Sequence, residues 1–312
     1  MTRPTLQPHA ACVAFRPRDG DYEVLLVAPP RSQQWRLPAA PVEEGETPIA
    51  AALRGLAEAT GIHGFSGPLL DQAESITPTG ERQRCDYFLA RALTAEPLHG
   101  GWEGETLAWL PVDEAITHPA SAVERAVLIR ARSLLRAPGS ATRLLPPLLA
   151  HLLTDLPANT LAALAETELW VEEEPYVMLA VPTEARARLL RSLGKAPPLL
   201  TIEDGDEFTL VLAESAFNQV QDALSLDYQA EPDLRFIRLE ATLPWETVGY
   251  GAAIFAALAA AGVSAGFYSG YSIDYLLISA GALPLATAAI ELLVAEAGRR
   301  APARGTQEHA AR

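Results

Sequence analysis

Residues 35–62 read WRLPAAPVEEGETPIAAALRGLAEATGI. The stretch divides into a loop rich in Pro, Gly and Glu and a helix. Thr47 has the hydroxyl of an N-cap, Pro48 suits the first helical position, and Gly61 suits the residue just past the end. The reading is a helix over 47–60. Within it, residues 55, 58 and 59 stand at i, i+3 and i+4 and share one face. That face carries Gly55, Glu58 and Ala59, hence one carboxylate. Glu46 sits in the loop and Arg54 on the helix, so pairing them would fix the one on the other. Glu43 and Glu44 precede the helix, where its dipole favours negative charge.

Working outward, residues 12–15 and 24–28 are apolar strand segments around the turn at 17–21. Residues 86–90 and 106–110 read as strands, and 121–135 as an amphipathic helix. The sequence RAPGS at 136–140 is the best break. Residues 144–165 are helical in character but interrupted by Pro146, Pro147 and Pro157. The pattern then changes from Trp170. A strand at 176–181, a helix at 183–193 and a hairpin of 199–202 with 208–212 are followed by a strand at 234–239. A helix at 247–261, strands at 263–268 and 275–278, and a helix at 283–297 complete the order. This is two βαββα units of roughly 60 residues each. The expected domains are 1–136, a helical linker over 137–166, a second domain over 167–298 and a polar tail over 299–312.

The chain has 312 residues, 49% of them hydrophobic, and two cysteines. That is enough apolar content for sizeable cores, and Cys12 and Cys85 have no zinc-site spacing. The net charge is −15, with −4 carried by residues 1–140 and −11 by 141–312. A nucleic-acid partner is not expected, because phosphate neutralisation needs basic surface. The first ten residues, MTRPTLQPHA, contain no apolar h-region. The longest uncharged run, 247–273, has the length of a membrane span. Its recurring Gly, Ser and Tyr read better as a buried helix followed by a strand. The expectation is a cytoplasmic protein with no membrane partner.

The run WRLP, Glu46, Arg54, Leu56, Glu58, Gly61 and Ile62 resembles the Nudix box, G-x5-E-x7-R-E-U-x-E-E-x-G-U with U aliphatic. The likeness extends loosely over residues 10–135. It implies an α/β/α sandwich with a mixed sheet and Mg²⁺-dependent hydrolysis of nucleoside diphosphate derivatives. On that resemblance Glu58, Glu46 and Arg54 are the catalytic candidates. Ala40, however, stands where the pattern has Gly, and Gly55 and Ala59 stand where it has Glu. Positioned metals supply several kcal/mol of transition-state stabilisation, so losing two ligands removes roughly a thousandfold in rate or more. Glu58 would recruit Mg²⁺ only weakly. Glu103 and Glu105 are candidate substitute ligands, or else solvated loop carboxylates.

Residues 234–278 contain Leu243, Pro244, Trp245, Gly249, Leu258, Gly262, Val263, Ser264, Asp274 and Tyr275. In this arrangement they resemble the ACT-like family, and residues 168–230 resemble its partner half. The resemblance implies a tandem ferredoxin-like βαββαβ domain that binds a small metabolite, commonly an amino acid. Gly249 and Gly251 would leave helix N-terminal amides open to a carboxylate, and Asp274 would accept an ammonium. The alternative is close packing at the glycines, a turn cap at Asp274, and use as a homodimer contact. Tyr268, Tyr271 and Tyr275 are either site or core.

The expectation is therefore an α+β protein: a Nudix-type sandwich followed by a tandem ACT-like domain. The favoured function is binding of a nucleotide-like small molecule with weak or no hydrolysis, coupled to amino-acid sensing. The alternative is an active Mg²⁺-dependent hydrolase regulated by the second domain.

Overall fold

The computed structural model describes residues 7–32, 34–76, 82–98, 106–119, 121–137, 144–194, 198–221 and 228–301. Its contacts divide the chain into two compact units: Met1–Leu156 with Gly251–Ala261, and Pro157–Tyr250 with Gly262–Arg312.

The first unit contains β1 (Gln7–Arg18), β2 (Asp21–Ala28), β3 (Ala39–Pro41), α1 (Pro48–Thr60), β4 (Gly64–Ile76), β5 (Arg82–Ala92), β6 (Thr106–Pro111), α2 (Val112–Ala115), α3 (Ala122–Leu135) and α4 (Pro147–Asp155). Its strands run β4-β5-β1-β2-β6, with β3 also paired to β1. The sheet is mixed, since β1 is parallel to β5 and antiparallel to β2. Successive side chains of a strand face opposite ways, and β1 obeys this strictly. Ala11, Val13 and Phe15 join α3 residues Val127, Leu128 and Ala131 in one core. Ala10, Cys12 and Ala14 join Ala51, Ala52 and Leu56 of α1 in the other. The result is a sheet with a helix on each face. Cys12 and Cys85 fall in different cores, and both thiols are free.

The expected helix at 47–60 forms, and its signals act as read. Thr47 Oγ1 accepts from Ala50 N–H at 3.3 Å, Pro48 opens the first turn, and Gly61 closes with φ 67°. The sequence reading omitted β4. Its residues Gly67 and Pro68 break the period-2 pattern, and its pairing with β5 shifts register between Ser66 and Leu69 and again before Asp71. A strand bulged twice loses the alternation by which strands are recognised.

The second unit begins with α5 (Ala158–Ala165), then β7 (Glu168–Val171), β8 (Tyr176–Pro182), α6 (Arg186–Leu193), β9 (Leu200–Asp204), β10 (Glu207–Ala213), α7 (Glu214–Val220) and β11 (Gln229–Glu240). The helix α8 (Tyr250–Ala260) follows, and all of it but Tyr250 clusters with the first unit. Then come β12 (Gly266–Ser269), β13 (Asp274–Ser279) and α9 (Leu283–Arg300). The sheet order is β12-β13-β11-β8-β10-β9, with β7 also on β11.

β11 is longer than the expected strand at 234–239, and the extra length serves both halves of the sheet. Its first residues pair with β8, and its last pair with β13 on one side and β7 on the other. The first half orders its strands fourth, first, third, second, as β11-β8-β10-β9, and the second, β7-β11-β13-β12, repeats that layout with β7, which precedes β11 in the chain, in the place of the fourth strand. That is the order of a βαββαβ unit, used twice with β11 shared. The kink between Glu231 and Leu234, with Asp233 at φ 56°, marks where the strand passes from one half to the other.

The uncharged run 247–273 is divided between α8 and β12. The described helix that is long and apolar enough to cross a membrane is instead the one ending at Arg300. One face of it is buried, through Leu285, Ala289, Ile290 and Leu293, and it packs on α5.

Candidate functional site

The site is built where α1 lies against β3. Arg54, on the second turn of α1, binds Glu46 through Nε at 3.0 Å and Nη2 at 2.8 Å. Nη2 also donates to the Pro41 carbonyl at 2.8 Å, and Nη1 donates to Glu58 Oε2 at 3.2 Å. Glu46 accepts a further bond from Glu43 N–H at 3.0 Å. A guanidinium fork matched to both carboxylate oxygens is strong and directional. Together with the Glu43 N–H it holds the Glu46 carboxyl down to about 2. The loop 41–46 is thereby clamped to α1. The Glu46 side chain is 17% exposed and that of Glu58 61%, so the clamp is shielded while Glu58 reaches water.

Beside the clamp lies a cavity of about 470 Å³ lined by Val27, Arg36, Pro38, Ala39, Gly55, Glu58 and Ala59. Among the described residues, its wall carries one cation, Arg36, and one carboxylate, Glu58. The strand-like pairing of Arg36 with Val27, at 2.9 and 3.0 Å through both backbone bonds, fixes the loop that carries the guanidinium. The next residue is held as well. Leu37 N–H donates to Glu124 Oε1 of α3 at 3.1 Å. Burial pushes the Glu124 carboxyl up, against the opposing pull of that N–H and the Arg36 charge. Neither Arg36 nor Glu124 was singled out from sequence. Arg36 stood inside the quoted WRLP, and its position as the one basic residue between Trp35 and Thr47 was the available signal.

Of the sequence-derived candidates, Glu46, Arg54 and Glu58 come together, and of these Glu58 lines the cavity. Glu103 and Glu105 lie outside the described residues.

A divalent ion held by α1 would need oxygen donors on the face of residues 55, 58 and 59. At 59 there is a methyl group. At 55 there is no room for a side chain: a Cβ there would meet Ala40 Cβ at 2.8 Å, the Ala39 carbonyl carbon at 2.9 Å and Ala40 N at 2.9 Å. Glu58 already faces Arg54. Among the described residues, no three His, Cys, Asp or Glu side chains gather as a metal site. The residues of this face do not fit a carboxylate-held Mg²⁺.

In the second unit, Asp274 opens β13, is 8% exposed and pairs with Leu239 and Ser269. It lies near Tyr250, whose hydroxyl is 3.0 Å from Thr167 Oγ1. Burial pushes the Tyr250 phenol up to about 12, and the Asp274 charge adds to this. Gly249 sits at φ 89°, a conformation that side chains other than glycine rarely adopt. It therefore has a backbone reason to be glycine. Gly251 is in the first turn of α8 and clusters with the first unit.

A model of the NUDIX domain matches residues 5–131. The 8-oxo-(d)GTP phosphatase of Mycolicibacterium smegmatis is 33% identical over 108 residues, 35% of this chain and 33% of that protein. The rat diphosphoinositol polyphosphate phosphohydrolase 2 is 34% identical over 120 residues, 36% of this chain and 63% of that protein. The chain thus spans a third of the first relative and under two thirds of the second. A NUDIX hydrolase structure from Nitrosomonas europaea aligns with 22% identity and a TM-score of 0.35, over 43% of this chain and 93% of that one. Residues 5–131 thus match the NUDIX domain model, and the named relatives that align with this part of the chain are phosphohydrolases.

Proposed function

We propose that the NUDIX domain binds a nucleoside diphosphate derivative with weak or no hydrolysis, and that the second unit is an ACT-like module sensing a small metabolite, an amino acid. The observation that carries the first half is the wall of the cavity on α1. It presents Gly55 and Ala59 where the resembled pattern has carboxylates, and its remaining Glu58 faces Arg54. The scaffold that shapes the cavity is intact, since the clamp of Arg54 on Glu46 and Pro41 is fully made. A binding site is thereby retained without the ligand set that would drive turnover.

The second half is supported by the doubled strand order around β11 and by Asp274, a carboxylate largely withdrawn from water. Buried charges are costly unless paired, and an ammonium is the group that would pair this one. The Tyr250 phenol lies near it and is itself hydrogen-bonded to Thr167. We place the protein in the cytoplasm.

A second reading, an active Mg²⁺-dependent hydrolase under control of the second unit, is favoured by Glu58, the carboxylate on the cavity wall among the described residues. The two readings are separated by presenting the full chain with a panel of nucleoside diphosphate derivatives and Mg²⁺, and measuring binding and product in the same samples. Binding without product supports the sensor reading. Product formation that Glu58→Gln abolishes supports the hydrolase.

A further inference from the structure

The contact between α1 and β3 goes beyond the loss of two carboxylates. In the resembled box, the position of Ala40 is a glycine and that of Gly55 is a glutamate. Here the side chain has moved from one partner to the other, and the two positions touch. The Cβ that residue 55 lacks would stand 2.8 Å from the Cβ that residue 40 has. Real Cβ atoms do not approach so closely, so a methyl at 40 and a side chain at 55 are mutually exclusive on this backbone.

β3 has no freedom to retreat. It pairs with β1 through Ala39–Ala11, Ala40–Ala10 and Pro41–His9. Val42 N–H donates to the Pro8 carbonyl at 2.9 Å, and Cys12 N–H to the Pro38 carbonyl at 3.0 Å. From the other side, Arg54 grips the Pro41 carbonyl, and Leu56 and Ala52 anchor α1 in the core. A glycine within a helix is unfavourable relative to alanine, and this close approach is its structural reason.

We infer that β3 has closed onto α1 at Gly55, so that the cavity takes its ligand without a divalent cation, and that Arg36 supplies the positive charge a metal would bring to a diphosphate. This rests on the nucleotide reading for the ligand's identity but not for the closure. Among the described residues Arg36 is the cation of the cavity wall, and both its backbone bonds and the Leu37–Glu124 bond next to it fix the main chain that carries it. A guanidinium is suited to phosphate oxygens by charge and by its planar fork. Val27, Pro38, Ala39 and Ala59 leave apolar wall for the non-phosphate moiety.

The closure is tested first without any nucleotide. Mn²⁺, a spectroscopic substitute for Mg²⁺, is titrated into the full chain and followed by electron paramagnetic resonance, beside the Glu58→Gln variant. The expected result is no bound Mn²⁺ that the variant loses. A stoichiometric site lost in Glu58→Gln overturns the closure. The second arm measures binding of ADP, UDP, GDP and CDP in excess EDTA and in excess Mg²⁺. The expected result is the same affinity in both, and a weakening of about tenfold to a hundredfold in Arg36→Gln, the effect of one lost charge-assisted hydrogen bond. Binding that appears only with Mg²⁺, or that Arg36→Gln leaves unchanged, overturns the inference. If no diphosphate binds in either buffer, the nucleotide reading and the role of Arg36 fall together, while the Mn²⁺ result still decides the closure.

Discussion

Substituting Gly55 by alanine separates helix propensity from packing, because the two predict opposite signs. In an ordinary solvent-facing helix the change would stabilise by about 1 kcal/mol, since glycine loses more backbone entropy on folding. Here the new methyl would meet Ala40 Cβ at 2.8 Å, and the Ala39 carbonyl carbon and Ala40 N at 2.9 Å. Two of those three neighbours are backbone atoms of a strand hydrogen-bonded to β1, so the strain cannot be relieved by a rotamer change. Overpacking of this kind costs about 1–3 kcal/mol. The net expectation is a loss of up to about 2 kcal/mol after the propensity gain is set against it. Adding Ala40→Gly removes the methyl–methyl contact but not the two backbone ones, so the double variant should recover part of the loss and be non-additive. The assay is urea unfolding of the full chain with peptide-resolved hydrogen exchange, which localises the change to α1 and β3. If Gly55→Ala is more stable than the parent, the reasoning about β3 is wrong.

The same contact governs attempts to rebuild a metal site. Ala59→Glu alone should fold and give measurable Mn²⁺ binding through two neighbouring carboxylates, whereas Gly55→Glu should lower the melting temperature, and Ala40→Gly should restore only part of it because the two backbone contacts remain; Mn²⁺ titration and melting temperature check both. The clamp should show in the acid limb of stability. Glu46 is held at about 2 against an ordinary 4.5, so its contribution is present above pH 4.5 and is lost as pH falls toward 2. Arg54→Gln should flatten the melting temperature over that range. Glu124 has the opposite sign: burial raises its carboxyl, so stability falls as pH rises past the ordinary carboxylate range. Glu124→Gln should remove that dependence while keeping an acceptor for Leu37 N–H. In the second unit, one proteinogenic amino acid should raise the melting temperature through binding linkage, and Asp274→Asn should weaken that ligand by about tenfold to a hundredfold while leaving the fold intact.

What was legible in the sequence follows physical lines. Local signals are legible where the responsible groups are neighbours in the chain: Thr47, Pro48 and Gly61 bound α1, as expected. The Glu46–Arg54 pair was also accessible, because a loop followed by a helix brings residues eight apart together. The two bulges of β4 removed the alternation that reveals a strand, and β7 is a four-residue edge segment ending beside a run of glutamates. The dual role of β11 rests on pairings with three other strands, which no local pattern encodes. The same holds for the site. Gly55 read as a missing ligand, whereas its contact with Ala40 spans fifteen residues of chain and appears only when β3 is laid on β1. Arg36 acquires meaning through the cavity, and Glu124 through a hydrogen bond to a residue 87 positions away.

The central claim is retention of the binding cavity without the metal chemistry of a complete box. The direct measurement is turnover of a nucleoside diphosphate derivative that the full chain demonstrably binds, in saturating Mg²⁺. The account predicts saturable binding with turnover at least about a thousandfold below the common enzymatic range of ~1–10³ s⁻¹. Turnover within that range, abolished by Glu58→Gln, would contradict it.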